Sequence, residues 1–327
     1  MTTPLTLEFE HTPCLVCGAD QPQLLYGQLQ DWLYGVPGEF ALHRCPTCSH
    51  IYQANRPTQA SILQFYPQQY APYRPLIGEE RNTLIRAWRR WQARSRCNQI
   101  LRLRHQPGRI LDVGAARGEF LGEMQHYGWE IAGTDLNPEG IAYAQKHLKG
   151  EFFAGQIEDV AWADHQFDAI TMWDVLEHLP NPKTALQRMQ RLLKPDGYLL
   201  ISVPNMEGVQ AKLFGKYWMG LDPPRHLSVF TRRSLYRLLA DTGFEVETSY
   251  TFYGHYTAFA LSVSQWITAT FGAGALKRML TPVVFFPLWR FTTVPYYWII
   301  DALGLGAIVT VRARPTQTHP RGVHDGN

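Results

Sequence analysis

The sequence has a small net charge, and it contains no repeat, heptad pattern or low-complexity tract. Lysine and arginine exceed aspartate and glutamate by only three, 31 against 28, so any basic surface must be local and no general nucleic-acid-binding character is indicated. The N-terminus lacks the positive and apolar regions of a secretory signal, which predicts a cytoplasmic protein. A disordered chain is excluded because hydrophobic residues make up 45% and aromatic residues 13% of the 327 positions.

Four of the five cysteines form two C-x-x-C pairs, Cys14 with Cys17 and Cys45 with Cys48, which 27 residues separate. Each pair directs two thiolates at one point, and two pairs complete the tetrahedral S4 site of a structural zinc ion. Thiols that stay reduced favour metal over disulfides. A redox C-x-x-C is the alternative, although such a motif is expected once and beside a βαβ unit. We therefore predict one structural Zn2+ on these four cysteines.

Changes of composition divide the chain into six segments. Residues 1–56 are the predicted zinc-ribbon-like module, 57–105 a connector with an Arg-rich helix, 106–250 an α/β core, 251–306 a hydrophobic insertion, 307–314 the last core strand and 315–327 a polar tail. In the core, strand-length apolar runs alternate with helical stretches, and Asn137-Pro138 has the form of a helix N-cap. This alternation predicts a mostly parallel sheet with helices on both faces.

A strand, a glycine-containing turn and a helix start follow one another in LDVGAARGEFL. Gly114 and Gly118 let the backbone pass close to a ligand, and Asp135 ends the next strand, where an acid accepts hydrogen bonds from ribose hydroxyls. Dinucleotide enzymes share this spacing, but their turn needs G-x-G-x-x-G, and Ala116 and Glu119 occupy the later glycine positions. A ligand without phosphate and with an ammonium or sulfonium group fits better.

With these motifs the sequence resembles a class I S-adenosylmethionine-dependent methyltransferase of the bacterial group that carries an N-terminal zinc-ribbon-like module, related to sugar C-methyltransferases. The segments TDLNPEGIAYA, FDAITMWDVLEHLPNP, LLKPDGYLLISVPN and LDPPRHLSVFTRRSLYRLLADTGFEV follow in the family's order, and HRCPTCSHIYQANRP resembles its second knuckle. The resemblance implies an α/β fold with a doubly wound, seven-stranded sheet. It also implies methyl transfer from S-adenosylmethionine to a small-molecule, sugar or lipid-linked acceptor.

The resemblance further implies which residues contact the cofactor. Asp112 would orient its ammonium group, and Asp135 would hold the ribose. Leu136 would pack on the adenine, and Asp174 would face the methionine moiety. The other implied contacts lie in the first turn and beside the adenine: Gly114, Ala115, Gly118, Gln156 and Ile157.

A hydroxyl or acidic C–H acceptor also requires a base, and histidine suits neutral pH. His226 is the first candidate, because in the related sugar C-methyltransferases a histidine of the corresponding loop acts as base. The local text here is PPRH rather than their acidic-His pattern. His178 is the second candidate. Either histidine could instead cap a helix or brace a loop.

The Arg-rich helix and the insertion bear on which surface or partner the protein contacts. Residues 81–105 contain eight arginines and no acid, and residues 248–276 contain no charged residue. In the methyltransferase fold a short loop usually joins the last two strands, so a link this long should be structured or functional. The insertion is interpreted as a lid over an apolar substrate, a homodimer contact or a peripheral membrane element. We predict that the arginines and the insertion's aromatic residues dock together on an anionic membrane.

Two other classes of function stay open at this point. One is a non-catalytic module that binds nucleic acid or another partner through the zinc ribbon, although no nucleic-acid partner is expected from the charge. The other is a dinucleotide oxidoreductase. Binding of S-adenosylmethionine would exclude the oxidoreductase, and turnover would exclude the non-catalytic module.

Overall fold

A computed structural model describes residues 8–66, 80–272, 274–286, 289 and 292–316. Residues 67–79 of the predicted connector and the polar tail beyond residue 316 lie outside these ranges.

Seven strands form the central sheet, in the spatial order β12-β13-β10-β9-β6-β7-β8. Their bounds are β6 (Arg109–Val113), β7 (Glu130–Asp135), β8 (Gly150–Ala154), β9 (Phe167–Trp173), β10 (Leu193–Pro204), β12 (Phe244–Tyr250) and β13 (Ile308–Pro315). Neighbouring strands are parallel, except that β13 is antiparallel to both β10 and β12. The predicted doubly wound α/β fold is thus confirmed. In such a sheet ligands bind at the carboxyl ends of the strands where the order reverses, here between β6 and β9.

Helices cover both faces of this sheet. They are α2 (Thr83–Leu101), α3 (Glu119–His126), α4 (Pro138–His147), α5 (Pro182–Leu192) and α7 (Arg232–Asp241). Successive residues of a strand point to opposite faces, and accordingly Leu111 belongs to the buried cluster that includes Leu186 of α5, whereas Ile110 belongs to the cluster that includes Phe120 of α3. The predicted N-cap of α4 is confirmed, because the Asn137 side chain accepts from two backbone N–H groups of the first turn.

The N-terminal residues form a small sheet of their own in which one strand comes from the core. The four strands are β2 (Gln23–Leu29), β3 (Phe40–Arg44), β4 (Ile51–Tyr52) and β11 (Ser228–Val229), while β1 (Phe9–His11) pairs separately with β5 (Asn55–Pro57). The short helices α1 (Gln59–Ile62) and α6 (Val209–Phe214) follow β5 and β10. Trp218 and Leu221, from the segment after α6, share a buried cluster with Leu42 and Ile51 of the small sheet. The N-terminal module, residues 8–57, therefore shares both a sheet and a core with residues 205–230.

The Arg-rich helix α2 is bound to the core more fully than its sequence suggested. Its buried face carries Cys97 and Ile100, whereas Trp91 is 53% exposed. Its arginines form ion pairs with core acids: Arg89 with Glu119, Arg90 and Arg94 with Glu123, and Arg96 with Asp174. Arg104, just after the helix, pairs with Asp168. Acids of the core thus pair with four arginines of α2 within the protein, and the contact of this helix with lipid head groups stays a prediction.

The insertion between β12 and β13 is helical where it is described. It contains α8 (His255–Phe271), α9 (Ala275–Val284) and α10 (Val294–Ala302), which pack around a small cluster of Tyr256, Ala260 and Tyr297. Within the described ranges, no helix has both the length and the apolar character needed to cross a bilayer.

Candidate active site

Asp112 lies in β6 beside the point where the strand order reverses. Its side chain is buried, and its Oδ1 accepts a hydrogen bond from the Thr171 hydroxyl of β9 at 2.7 Å. Burial raises the pKa of this carboxyl to about 7 because a charged carboxylate loses hydration there. A cationic group bound nearby would favour the charged form and would be held in return.

The turn after β6 depends on glycine for reasons internal to the protein. Gly114 and Gly118 both adopt left-handed backbone conformations, with φ of +83° and +80°, which favour glycine. A Cβ at Gly114 would come within 2.3 Å of Val175, and one at Gly118 within 2.6 Å of Leu148. Both glycines are thus required by packing, whether or not a ligand also approaches them.

Asp135 holds the same turn from the neighbouring strand. One of its oxygens accepts from the backbone N–H of Ala116 and the other from that of Asn137, both at 2.8 Å. Burial raises the pKa of this carboxyl above its usual range. Next to it the Leu136 side chain is 59% exposed, which leaves an apolar surface beside the acid.

The other predicted cofactor residues flank this edge. Ala115 is buried, and its backbone N–H donates to the carbonyl of Thr134. Gln156 precedes a short 3-10 helix that begins at Ile157. The Ile157 side chain is buried in the core, so only its backbone could contact a ligand.

Asp174 follows β9 and meets two residues that the sequence did not indicate. Its Oδ2 accepts hydrogen bonds from the hydroxyl of Tyr253 at 2.9 Å and from the guanidinium of Arg96 at 3.2 Å. The guanidinium also lies over the ring of Trp173. Asp174 itself has a left-handed φ of +58°. Few residues other than glycine adopt this conformation, and those that do are enriched at functional sites. The available signal for Arg96 was its place beside Cys97 on the buried side of α2.

The two candidate histidines lie against each other and against a buried acid. The rings of His178 and His226 are nearly perpendicular, with centroids 4.6 Å apart, and Nε2 of His226 is 4.0 Å from a carboxylate oxygen of Glu177. Both carboxylate oxygens of Glu177 lack a hydrogen-bond partner among the described residues. Burial raises the pKa of Glu177 well above its usual range, because a charged carboxylate loses hydration there.

The tautomers of both histidines follow from their neighbours. Nδ1 of His226 lies 2.8 Å from the carbonyl of Gly220, and Nδ1 of His178 lies 2.9 Å from that of Arg225. A carbonyl only accepts, so each Nδ1 carries the proton and each Nε2 keeps its lone pair. Burial lowers the pKa of His226, and it lowers that of His178 to about 3. Both rings are therefore neutral, and each has one nitrogen able to accept a proton.

A buried ion pair that the sequence did not reveal holds the His226 loop. The guanidinium of Arg225 is fully buried and forms hydrogen bonds with both Asp31 and Asp222. Asp31 belongs to the N-terminal module and lies 194 residues from Arg225 in the chain. No local pattern could indicate this pair, because its members meet only in the folded molecule.

The four predicted zinc ligands come together in the N-terminal module. The Sγ atoms of Cys14 and Cys48 are 3.5 Å apart, as are those of Cys17 and Cys45, and all four lie within 4.8 Å of one another. A tetrahedral zinc ion with sulfur at about 2.3 Å would separate its ligands by about 3.8 Å. The geometry is thus compatible with a structural zinc ion.

Known proteins resemble this chain in the segment that builds the site. The family model described as "Methyltransferase domain" matches residues 85–249, about half of the chain. The ubiquinone biosynthesis O-methyltransferase of Xanthomonas oryzae pv. oryzae is 34% identical over 103 residues, which are 30% of this chain and 43% of that protein. The enzyme of the same name from Alkalilimnicola ehrlichii is 36% identical over 103 residues, 30% of this chain and 42% of that one. The matched segment thus spans less than half of these relatives.

Among solved structures, geranyl diphosphate C-methyltransferase from Streptomyces coelicolor A3(2) aligns with a TM-score of 0.48 and 12% identity, over 74% of this chain and 89% of that chain. The 1,6-didemethyltoxoflavin-N1-methyltransferase of Burkholderia thailandensis aligns with a TM-score of 0.43 and 19% identity, over 68% and 78%. The family model covers the glycine turn and the acids at the carboxyl ends of β6, β7 and β9. This chain belongs to the methyltransferase domain family.

Proposed function

We propose that this protein transfers a methyl group from S-adenosylmethionine to a small-molecule acceptor. The observation that carries the proposal is the row of acids on three adjacent parallel strands, with Asp112 in β6, Asp135 at the end of β7 and Asp174 after β9. The methyltransferase domain supports S-adenosylmethionine as the cofactor. This cofactor supplies a methyl group activated on a sulfonium sulfur, so the main task of the protein is to hold the reactants in line.

The residues at this edge fit the groups of that cofactor. Each oxygen of Asp135 accepts one backbone N–H and keeps further acceptor capacity for a ribose hydroxyl. The buried carboxyl of Asp112 would be stabilised in its charged form by an ammonium group. The exposed Leu136 offers an apolar surface for the adenine, and Gln156 lies beyond it near the end of β8.

His226 is the residue we assign as base. Its ring is buried and neutral, its Nδ1 proton is engaged by the carbonyl of Gly220, and its Nε2 is free to accept a proton from a hydroxyl or an acidic carbon. His178, in contact with it, is the second candidate.

The assignment of His226 is supported by its position next to the cofactor edge. The charge of Asp174 acts on its ring, and Glu177 lies 4.0 Å from its Nε2. Replacing His226 by Ala should leave cofactor affinity unchanged and slow methyl transfer by about 10²–10⁴-fold, the usual contribution of a positioned base. His147→Ala, on the exposed side of α4, is the matched control. Normal turnover by the His226 variant would move the assignment to His178.

Calorimetric titration with S-adenosylmethionine tests the cofactor part of the proposal. We expect micromolar binding that weakens by about 1–3 kcal/mol in Asp135→Ala, because two ribose hydroxyls lose their acceptor. Glu130→Ala is the control, since it changes an exposed acid at the opposite end of the same strand. Binding of a nicotinamide dinucleotide in place of S-adenosylmethionine would instead favour an oxidoreductase, and cofactor binding without any turnover would favour a non-catalytic module.

For the acceptor we propose a hydroxyl group of a small molecule, on a sugar, an aromatic ring or a lipid-linked precursor. The support is the O-methyltransferase activity named for the two bacterial relatives, together with a neutral histidine that suits removal of a hydroxyl proton. Transfer of a radioactive methyl group from S-adenosylmethionine to a panel of such hydroxyl compounds tests this part. Products methylated only on carbon or nitrogen would contradict it.

A second proposal, that the insertion binds an anionic membrane surface, is supported by what the insertion exposes. Of the eighteen exposed large apolar side chains among the described residues, eleven lie between residues 251 and 306, and Trp298 is 71% exposed. Met279 and Val283 lie about one turn apart on α9, and Phe286 follows the end of that helix. Ile299 is exposed on α10, and Leu303 follows its end. A set of exposed apolar side chains of this kind favours an interaction site.

The charges beside this surface favour anionic lipid as the partner. Lys277 and Arg278 lie at the start of α9, and Asp301 is the only acid in residues 251–306. Asp301 is already engaged, because it accepts from the hydroxyl of Thr251 and lies 2.9 Å from Nε2 of His255. Tryptophan, tyrosine and basic side chains together are typical of helices that lie in the head-group layer.

Vesicle sedimentation with the full chain tests this second proposal. We expect binding to vesicles that contain phosphatidylglycerol, release by salt, and little binding to phosphatidylcholine alone. Trp298→Ser should weaken binding by about tenfold, whereas Trp91→Ser, at an exposed tryptophan of α2 outside the insertion, should not change it. Absence of salt-sensitive binding would contradict the proposal. A dimer that Trp298→Ser dissociates would assign the surface to a second copy of the chain instead.

A further inference from the structure

We propose that Gln53 is a positioning residue, through which the N-terminal module holds the His226 loop in its working orientation. The inference rests on the proposed role of His226 and adds a function for the module that contains the four cysteines. Gln53 is fully buried, and its side-chain nitrogen donates to the carbonyls of Pro224 and His226, at 2.9 and 2.8 Å. Its backbone N–H donates to the carbonyl of Leu227 at 3.1 Å.

These three hydrogen bonds hold the backbone segment that carries the ring of His226. Because both partners of the side-chain nitrogen are carbonyls, which only accept, the amide of Gln53 can be oriented in one way only. The backbone of residues 224–227 is therefore held on both sides of His226. This fixes the place from which the ring reaches Gly220 with Nδ1 and faces Glu177 with Nε2.

The neighbouring contacts extend the same connection. Strand β4, immediately before Gln53, pairs antiparallel with β11, immediately after Leu227. Nε2 of His50 lies 3.2 Å from the hydroxyl of Ser228, and both residues are buried. The His226 loop is thus held after Leu227 by the pairing of β11 with β4, and before His226 by the Arg225 ion pair.

The cysteine cluster is linked to Gln53 by a short path. The backbone N–H of Cys45 donates to the carbonyl of His50 at 2.8 Å, which closes the second knuckle directly before β4. Only four residues lie between the predicted ligand Cys48 and Gln53 in the chain. A conformational change in the knuckle would therefore shift the strand that holds the loop, which gives the module a role in the site as well as in folding.

Imidazole nitrogen NMR on protein labelled with 15N-histidine and bound to S-adenosylhomocysteine tests the proposal without an acceptor. The signals of His226 are assigned by their absence in His226→Ala. We expect the wild-type ring to be almost entirely the Nδ1–H tautomer, and Gln53→Met, which keeps the volume but removes the donors, to lower that population by about threefold or more. Gln53→Asn, whose amide is one methylene too short to reach both carbonyls, should act in the same direction.

Gln210→Met is the matched control, because Gln210 is another buried glutamine whose side chain donates to a carbonyl, that of His255, outside the loop. It should leave the His226 signals unchanged. A His226 tautomer that is unaltered in both Gln53 variants would overturn the inference, as would an equal change in Gln210→Met. Failure of the proposed function is distinguishable, since normal methyl transfer by His226→Ala would remove the base role while leaving the NMR result intact.

Discussion

The N-terminal module and the insertion are both attached to the same sheet, but the contacts that attach them are of different kinds. The module contacts the core through buried polar groups, namely the Arg225 guanidinium between Asp31 and Asp222, the Gln53 side chain, and the β4–β11 pairing. The insertion is held mainly by α8, and its α9 and α10 expose apolar side chains. One region is specified by its contacts within the molecule, and the other presents a surface outward.

The difference follows from what each kind of contact does energetically. A buried polar group costs free energy unless its partners are placed correctly, so a network of such groups permits one arrangement. An exposed apolar surface imposes no such arrangement and gains free energy when a partner covers it. This difference is consistent with the proposals that the module acts in the site and that the insertion binds an external partner.

Removal of the metal should produce the largest loss of stability among the tests of this comparison. Cys45→Ser should lose the zinc ion and destabilise the module by about 5 kcal/mol or more, because small metal modules draw much of their folding free energy from the ion. Elemental analysis measures the metal, and thermal unfolding measures the stability. Cys97→Ser, at the buried cysteine of α2 outside the cluster, is the control for metal content. Protein purified without chelator that contains no zinc would contradict the prediction.

Removal of the buried Arg225 ion pair should produce the second largest loss of stability. Arg225→Met should lower the free energy of unfolding by about 3–5 kcal/mol, because it leaves Asp31 and Asp222 without their buried partner. Lys183→Met removes a half-exposed pair with Asp241, 3.9 Å apart, and should cost less than about 1 kcal/mol. Urea unfolding of both variants gives the comparison. Equal costs would show that the module is not held by this pair.

Replacement of one tryptophan in each region compares the stability that packing contributes there. Trp218 is buried in the cluster that the module shares with the core, so Trp218→Ala should cost about 3–5 kcal/mol in urea unfolding. Trp298→Ala in α10 should cost less than about 0.5 kcal/mol, because a largely exposed side chain loses little packing. A large loss in the Trp298 variant would show that the surface of the insertion is already covered in the protein alone.

Near neutral pH, the contribution of the two site histidines to stability should give the smallest effect. Burial lowers the pKa values of His178 and His226 in the folded state, so below about pH 6.5 these two residues bind more protons in the unfolded chain than in the folded chain. Their contribution should be constant above about pH 6.5 and fall below it, by at most about 1.4 kcal/mol per pH unit for each histidine. Urea unfolding as a function of pH checks this. His178→Gln should reduce the slope, whereas His147→Gln on the surface should leave it unchanged.

Much of the fold could be predicted because its signals are local. The spans of β9 and α4 agree with the apolar run and the N-cap that indicate them, and the carboxyl ends of parallel strands must meet at one edge. Asp112, Asp135 and Asp174 lie at that edge in the structure, whereas their contacts with the cofactor stay predictions. The two C-x-x-C turns likewise required only that each thiol pair face a common point.

The remaining features depend on residues far apart in the chain. Gln53 contacts Pro224 across 171 residues, and Arg225 contacts Asp31 across 194 residues, so no pattern of composition or spacing could indicate these two contacts. The ion pairs of α2 were not indicated for the same reason, since the acids that pair with its arginines belong to other elements.

The sequence by itself determined the doubly wound sheet, the acids at its carboxyl edge and the four clustered cysteines, because short-range periodicity and turn chemistry control these features. Only the tertiary structure decided that the cysteine module shares a sheet with the His226 loop, that the arginines of α2 are paired, and that the surface of the insertion is open. These outcomes depend on which buried polar groups find partners across the fold, and that is settled by long-range packing rather than by any local run of residues.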